Sequence, residues 1–175
     1  MENGEKRILS LWLPQWPVDR LCRTWRRAPK ADWSEDRPER GQPLALIRAQ
    51  ENNQRIGALN ASAVQAGVRL GMMLTDARAL VPGLAVQPMA PREDARALAS
   101  LADWCGRYSP WVTLAGEEEG PHGICIDVTG CAHLFGGEAA MLADLSRRLA
   151  DFSIWAQIAI ADTLGTAWAA ARYGG

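Results

Sequence analysis

Residues 124–137 read Ile-Cys-Ile-Asp-Val-Thr-Gly-Cys-Ala-His-Leu-Phe-Gly-Gly. Ile124, Cys125 and Ile126 form a short apolar run of the kind that makes a buried strand. In the turn that follows, the Asp127 and Thr129 side chains can bond nearby backbone, and Gly130 tolerates the left-handed conformation of a sharp exit. A brief apolar segment, Leu134-Phe135, is closed by two glycines. Read alone, this is a core strand running into a turn, and the rest of the chain is arranged around it.

Composition bounds what such a strand can belong to. Of 175 residues 48% are apolar and 22% charged, with a formal net charge of −1. That describes a globular chain of one domain or one and a half, without the basic excess of a free-standing DNA-gripping module. No apolar run is long enough to span a bilayer, and the polar start MENGEKR lacks the apolar core of a signal peptide, so a cytoplasmic location is expected. Cys22, Cys105, Cys125 and Cys131 are scattered and read as reduced thiols. His122, Cys125, Cys131 and His133 could form a four-ligand set. Cys125 lies inside the apolar strand, however, and the spacing fits no common zinc pattern, so neither metal nor other cofactor is expected.

Taken in order, Ile8–Leu13 is an apolar run that reads as a buried strand, stopped by Pro14. Pro17–Arg27 has helical periodicity, with Val18, Leu21, Cys22 and Trp25 on one face and Arg20, Arg23 and Arg27 on another. Residues 28–42 are rich in Pro and charge and read as a loop. Two strands, Pro43–Ile47 and Arg55–Leu59, flank a polar turn, and Ala61–Ala66 is a short helix. Thr75 is placed to cap a helix from Asp76 to Leu80. Leu84–Gln87 is a strand, Pro91–Arg107 an amphipathic helix and Trp111–Ala115 a strand entering the acidic run Glu117-Glu118-Glu119. After the central strand come a helix at Glu138–Ala150, a strand at Ile154–Ala161 and a small-residue helix at Leu164–Arg172. The order is that of an α/β (α+β) split βαβ, ferredoxin-like domain with a small insertion. Most of the eight tryptophans are expected in or over the core, with Trp33 the expected exposed contact.

The central stretch resembles the palm strand of Y-family (translesion) DNA polymerases, Ile-Asp-Glu-Ala-Phe-Leu-Asp-Val-Thr-Gly followed by Leu-Phe-Gly. Other stretches agree in order. Ile8–Trp16 sits where the family has its first strand, and Asn60–Met72 resembles the fingers motif. Thr75–Pro88 follows the next helix and strand, Tyr108-Ser109-Pro110 matches Tyr-Ser-Pro, and Ile158–Ala169 resembles the segment carrying the family's lysine. The resemblance implies a palm over residues 1–42 and 84–175, a fingers-like insertion over 43–83, and a little finger and C-terminal region beyond this chain.

Aligned without a gap, the family's metal-binding carboxylates fall on Trp12, Pro14, His122 and Gly123, and its nucleotide-binding residues on Ala61, Val64 and Trp168. Two-metal phosphoryl transfer needs converging carboxylates, and these side chains cannot supply them. Trp12 and Trp16 would fill the space instead. The run Glu117-Glu118-Glu119 reads as a solvated hairpin loop, although a gapped alignment could place one of the three near the site. The resemblance is to the polymerase-like, acid-less members of bacterial DNA-damage mutagenesis cassettes. It implies a pseudo-polymerase scaffold that works with an error-prone C-family DNA polymerase, the sliding clamp and a RecA-like partner, with DNA held weakly or through C-terminal domains. Arg20, Arg23, Arg55 and Arg69 are candidate phosphate contacts. The alternatives are an active Y-family polymerase with an unusual metal site, and an unrelated α/β domain binding a small molecule in a tryptophan-lined pocket.

Overall fold

The computed structural model describes residues 6–28, 38–39, 41–50, 53–115 and 122–174. Its elements run β1 (Ile8–Leu13), α1 (Trp16–Arg27), β2 (Leu44–Gln50), β3 (Asn53–Leu59), α2 (Ala61–Gln65), α3 (Leu74–Leu80) and β4 (Ala85–Pro88). They continue with α4 (Pro91–Cys105), β5 (Val112–Ala115), β6 (His122–Asp127), α5 (Glu138–Asp151), β7 (Gln157–Ala161) and α6 (Leu164–Tyr173). A 3-10 turn, Ala132–Phe135, holds the Leu134-Phe135 segment.

β1 is the central strand of an antiparallel sheet ordered β5-β6-β1-β7. This is the split βαβ arrangement expected from the sequence, with the connection from β1 to α4 carrying the insertion. Alternation along β1 sends Leu9, Leu11 and Leu13 into one core. There they join Ile124 and Ile126 of β6, Leu98, Leu101 and Cys105 of α4, and Met141, Leu145 and Leu149 of α5. α6 lies against β1 and β7, with small Ala167 and Ala171 as its buried residues.

The exit turn after β6 is latched to the start of β1. Asp127 Oδ1 accepts from the Thr129 N–H at 3.1 Å, and Thr129 Oγ1 accepts from the Arg7 N–H at 2.9 Å. Gly130 takes φ +71°, the left-handed conformation its place in the turn requires. The Arg7 guanidinium forks onto both Glu138 oxygens at 2.6 Å and also pairs with Asp162.

The second unit, Pro17–Pro91, is built on a sheet ordered β3-β2-β4. Ala45, Ile56 and Leu59 pack one face with Ala63, Val68, Leu74 and Ala77. Leu44, Leu46 and Ala58 pack the other with Val18, Leu21, Cys22 and Trp25 of α1. Asn60 knots its strands to α2: Oδ1 accepts from the Ala63 and Leu44 N–H groups at 2.8 and 3.0 Å, and Nδ2 donates to the Gln42 carbonyl at 2.8 Å.

Contacts divide the chain at 16/17 and 91/92, whereas the sequence suggested 42/43 and 83/84. α1 goes with the second unit because its apolar stripe covers β2 and β3, and β4 because it pairs with β2. α3 starts at Leu74 with Met73 as N-cap, so Thr75 lies inside the first turn and does not cap. β7 starts at Gln157, three residues later than expected. Trp33 and the Glu117–Glu119 run lie outside the described residues. Among those described, no helix is long and apolar enough to cross a membrane.

Candidate functional site

The four positions where the resemblance sets lost carboxylates come together at one end of the central strand pair. Near the end of β1 Trp12 is opposite Gly123 and Leu13 opposite His122, and Pro14 follows in the turn. Trp12 alternates away from the leucine core and stands beside Gln157, its partner on β7. The Arg172 guanidinium from α6 lies over this spot, 5.4 Å from the Trp12 ring and 4.1 Å from the Trp168 ring. Such cation–π contacts contribute about 0.5–2 kcal/mol, more where water is excluded. Trp168 in turn meets the Tyr173 ring edge-on at 6.2 Å. Trp12 Nε1, Gln157 Oε1 and Arg172 Nε are sealed here with no hydrogen-bond partner among the described residues.

His122 is half-buried. Burial holds its pKa below the usual imidazole range, against a smaller upward pull from the Asp94 charge, so the ring is neutral near pH 7. Gly123 sits in close quarters, where a Cβ would stand 3.0 Å from the Leu11 carbonyl oxygen and 3.3 Å from that of Ala115. A carboxylate residue at this position would need neighbouring backbone to give by a few tenths of an ångström.

A pair of magnesium ions, which the polymerase fold implies, does not fit these residues. Indole, pyrrolidine and a glycine hydrogen offer no oxygen, a neutral imidazole is a poor ligand for so hard a cation, and a guanidinium already lies beside Trp12. Among the described residues no three His, Cys, Asp or Glu side chains are grouped to hold a metal ion, and His122, Cys125, Cys131 and His133 do not converge.

Trp16 does not share the site with Trp12. It is fully buried in the leucine core, and its Nε1 donates to the Asp94 carbonyl at 2.9 Å. The tryptophans are also less buried than expected. Trp111 is 73% exposed, Trp155 47% and Trp168 39%, the first two lying beside the edge strands β5 and β7.

The other expected residues fall as follows. Ala61 and Val64 are exposed on α2, and Arg69 is exposed on the connector after it. Arg20 and Arg23 are half-buried on α1, and burial lowers the Arg23 pKa, with Arg27 adding to the effect. Arg55 is exposed on β3 and donates from Nη1 to the Gly71 carbonyl at 2.9 Å. The sequence reading missed Arg172 and Gln157. Arg172 had a visible cue in its spacing of four residues from Trp168 on one helix face.

Comparison with solved structures places this architecture. The post-insertion binary complex of Dbh DNA polymerase superposes with a TM-score of 0.71 at 14% identity, over 95% of this chain and 45% of that one. DinB from Sulfolobus solfataricus gives 0.68 at 16%, over 94% and 45%. The fold is therefore that of the palm and fingers of a Y-family DNA polymerase. The chain belongs to the impB/mucB/samB family, whose pattern matches residues 31–172. It is 49% identical over 108 residues to Protein ImuB of Caulobacter vibrioides, equally in strains NA1000 / CB15N and ATCC 19089 / CIP 103742 / CB 15. That match covers 62% of this chain and 23% of those proteins. Family membership overturns the reading as an unrelated small-molecule-binding domain.

Proposed function

We propose that this chain is the palm-and-fingers part of a non-catalytic Y-family homologue, acting as a scaffold or adaptor in bacterial DNA-damage-induced mutagenesis. In this reading the longer protein works in the cytoplasm. It brings an error-prone C-family DNA polymerase and the sliding clamp to lesions, with ImuA as a further partner. The likeness to the ImuB proteins supports it, and one observation carries it: the end of the central strand pair holds Trp12, Pro14, His122 and Gly123, with the Arg172 guanidinium over the Trp12 ring. Activating a 3′-hydroxyl and neutralising a triphosphate requires carboxylates that gather two metal ions, and none of these four side chains is one. Ala61, Val64 and Trp168 likewise bring neither hydroxyl nor charge to a triphosphate.

Calorimetry of this chain with magnesium and a nucleotide, beside primer extension by the longer protein, tests the loss of catalysis. No heat and no extension are expected. Magnesium-dependent nucleotide binding would overturn that part and return Glu117–Glu119 to the metal site. Co-purification tests the adaptor part: the longer protein is expected to retain the polymerase, the clamp and ImuA, and retention of none of them would sink it.

A further inference from the structure

The near-zero net charge of the chain hides a segregation. Residues 17–91 carry eleven Lys and Arg against seven Asp and Glu, a formal +4, while the other unit carries eight against thirteen, a formal −5. Within that acidic unit, Arg172 is the only Lys or Arg on β1, β6, β7 or α6, the elements around Trp12. It joins no ion pair among the described residues. Its Nε is sealed without a hydrogen-bond partner, whereas its two Nη groups are not sealed. The Nη N–H groups are the open end of the guanidinium fork, the part that grips a carboxylate.

Rings hold this fork in place. It lies 4.1 Å from the Trp168 ring and 5.4 Å from the Trp12 ring. Such packing orders in advance a long side chain that otherwise loses its rotamer freedom on pairing. Leu164, Trp168 and Arg172 recur at every fourth residue of α6 and so share one stripe. Leu164 is 55% exposed and Tyr173 76%, and the Tyr173 ring meets that of Trp168 edge-on. A fixed cation with unspent donors thus stands next to uncovered apolar and aromatic surface. Trp, Tyr and Arg are the side chains that most often dominate protein interfaces.

We propose that Arg172, framed by Trp12 and Trp168, anchors a docking site for a partner protein. It takes the carboxylate of one Asp or Glu from a short segment whose neighbouring apolar side chain covers Trp168 and Tyr173. Charge selects this occupant. One guanidinium matches one carboxylate, whereas a phosphate chain brings several charges to a spot with a single cation, in a unit of formal −5. The inference deepens the adaptor reading and rests on it for the choice of a protein segment as ligand. That reading is tested by co-purification with the longer protein and this site by peptide titration of the present chain, so either can fail alone.

The test follows the Trp12 and Trp168 indole N–H signals of the isotope-labelled chain by NMR. The probe is the peptide acetyl-Gly-Leu-Glu-Trp-Gly-amide, set against the same peptide with Gln in place of Glu. Both indole signals are expected to move, and the Glu peptide to bind about tenfold more tightly, since a charged acceptor strengthens the fork. Arg172→Gln is expected to erase that preference, and Arg172→Lys to keep it with weaker binding. Trp12→Asp should erase it too, by giving the guanidinium a carboxylate of its own. Arg92→Gln/Arg96→Gln on α4 leaves both affinities unchanged. If Arg172→Gln does not fold, exposed Tyr173→Ala is expected to weaken both peptides about fivefold through the lost apolar contact. Still indole signals, equal binding of the two peptides, or a preference that survives in folded Arg172→Gln overturns the proposal. So does displacement of the peptide by an equal concentration of thymidine triphosphate without magnesium, which would mark a general anion site.

Discussion

Arg172 bears on what building a metal site at Trp12 would take. Trp12→Asp alone puts a carboxylate where a guanidinium already lies, so the new group forms an ion pair and not a metal ligand. Magnesium calorimetry on that variant is expected to stay silent. Trp12→Asp/Gly123→Glu/Arg172→Ala, with the cation gone, is the first combination expected to show heat, and equal binding by Trp12→Asp alone would contradict the blocking role. Asp144 gives a pH-dependent prediction. It accepts from Arg148 Nε at 2.8 Å, Arg147 Nη2 at 2.7 Å and the Tyr108 hydroxyl at 2.8 Å. Arg148 first, then Tyr108, hold its carboxyl down to about 2 from an ordinary 3.8. A depressed carboxylate contributes stability that is present above the unfolded pKa and lost as pH falls through the folded one. Thermal melts from pH 5 to pH 2 should therefore fall more steeply for the unsubstituted chain than for Asp144→Asn, and parallel curves would remove Asp144 from acid unfolding. Burial pushes the Cys105 thiol up to about 12. In the folded chain it is expected to react with a thiol reagent more slowly than half-buried Cys131.

Asn60 is the residue on which the elements of the second unit most depend for their junctions. It caps a helix of only five residues and closes two further bonds at the start of β2. Asn60→Ala should cost about 2 kcal/mol in a denaturant melt, at the upper end for a lost cap, with Asn60→Asp recovering the two accepted bonds but not the donated one. A loss below about 0.5 kcal/mol would show that water replaces the side chain. Most elements were legible because their signals are local. Apolar runs made β1 and β6, a 3.6-residue stripe made α1, α4 and α5, and Thr163 caps α6 through the Thr166 N–H. Thr75 misled because a hydroxyl before an apolar run is also what a first-turn residue looks like. The coming together of Trp12, His122 and Gly123 was legible only through resemblance. The lid of Arg172 over Trp12 joins residues 160 positions apart, and no local pattern announces it. Tryptophan exposure was misjudged for a similar reason, since hydrophobicity alone does not say which residues border a sheet edge.

At the scale of the whole molecule, segregated charge was present in the sequence but hidden by the boundary chosen. The expected insertion at 43–83 carries four basic residues against two acidic ones. Adding α1 and its loop raises the formal charge of the unit to +4, and only the packing of α1 on β2 and β3 shows that they belong together. The insertion also has a consequence in time. β1 leaves the ribosome ahead of every strand it pairs with, and its partners start at His122 and Gln157. At synthesis rates of about 5–20 residues per second, the stretch from Leu13 to His122 takes roughly 5–20 s to emerge. Residues 17–91 are contiguous and can be complete within that interval, whereas the leucines of β1 must stay wet until β6 arrives. The nascent chain therefore carries an orphan apolar strand ahead of the insertion, and the length of the insertion sets how long that strand waits for its partners.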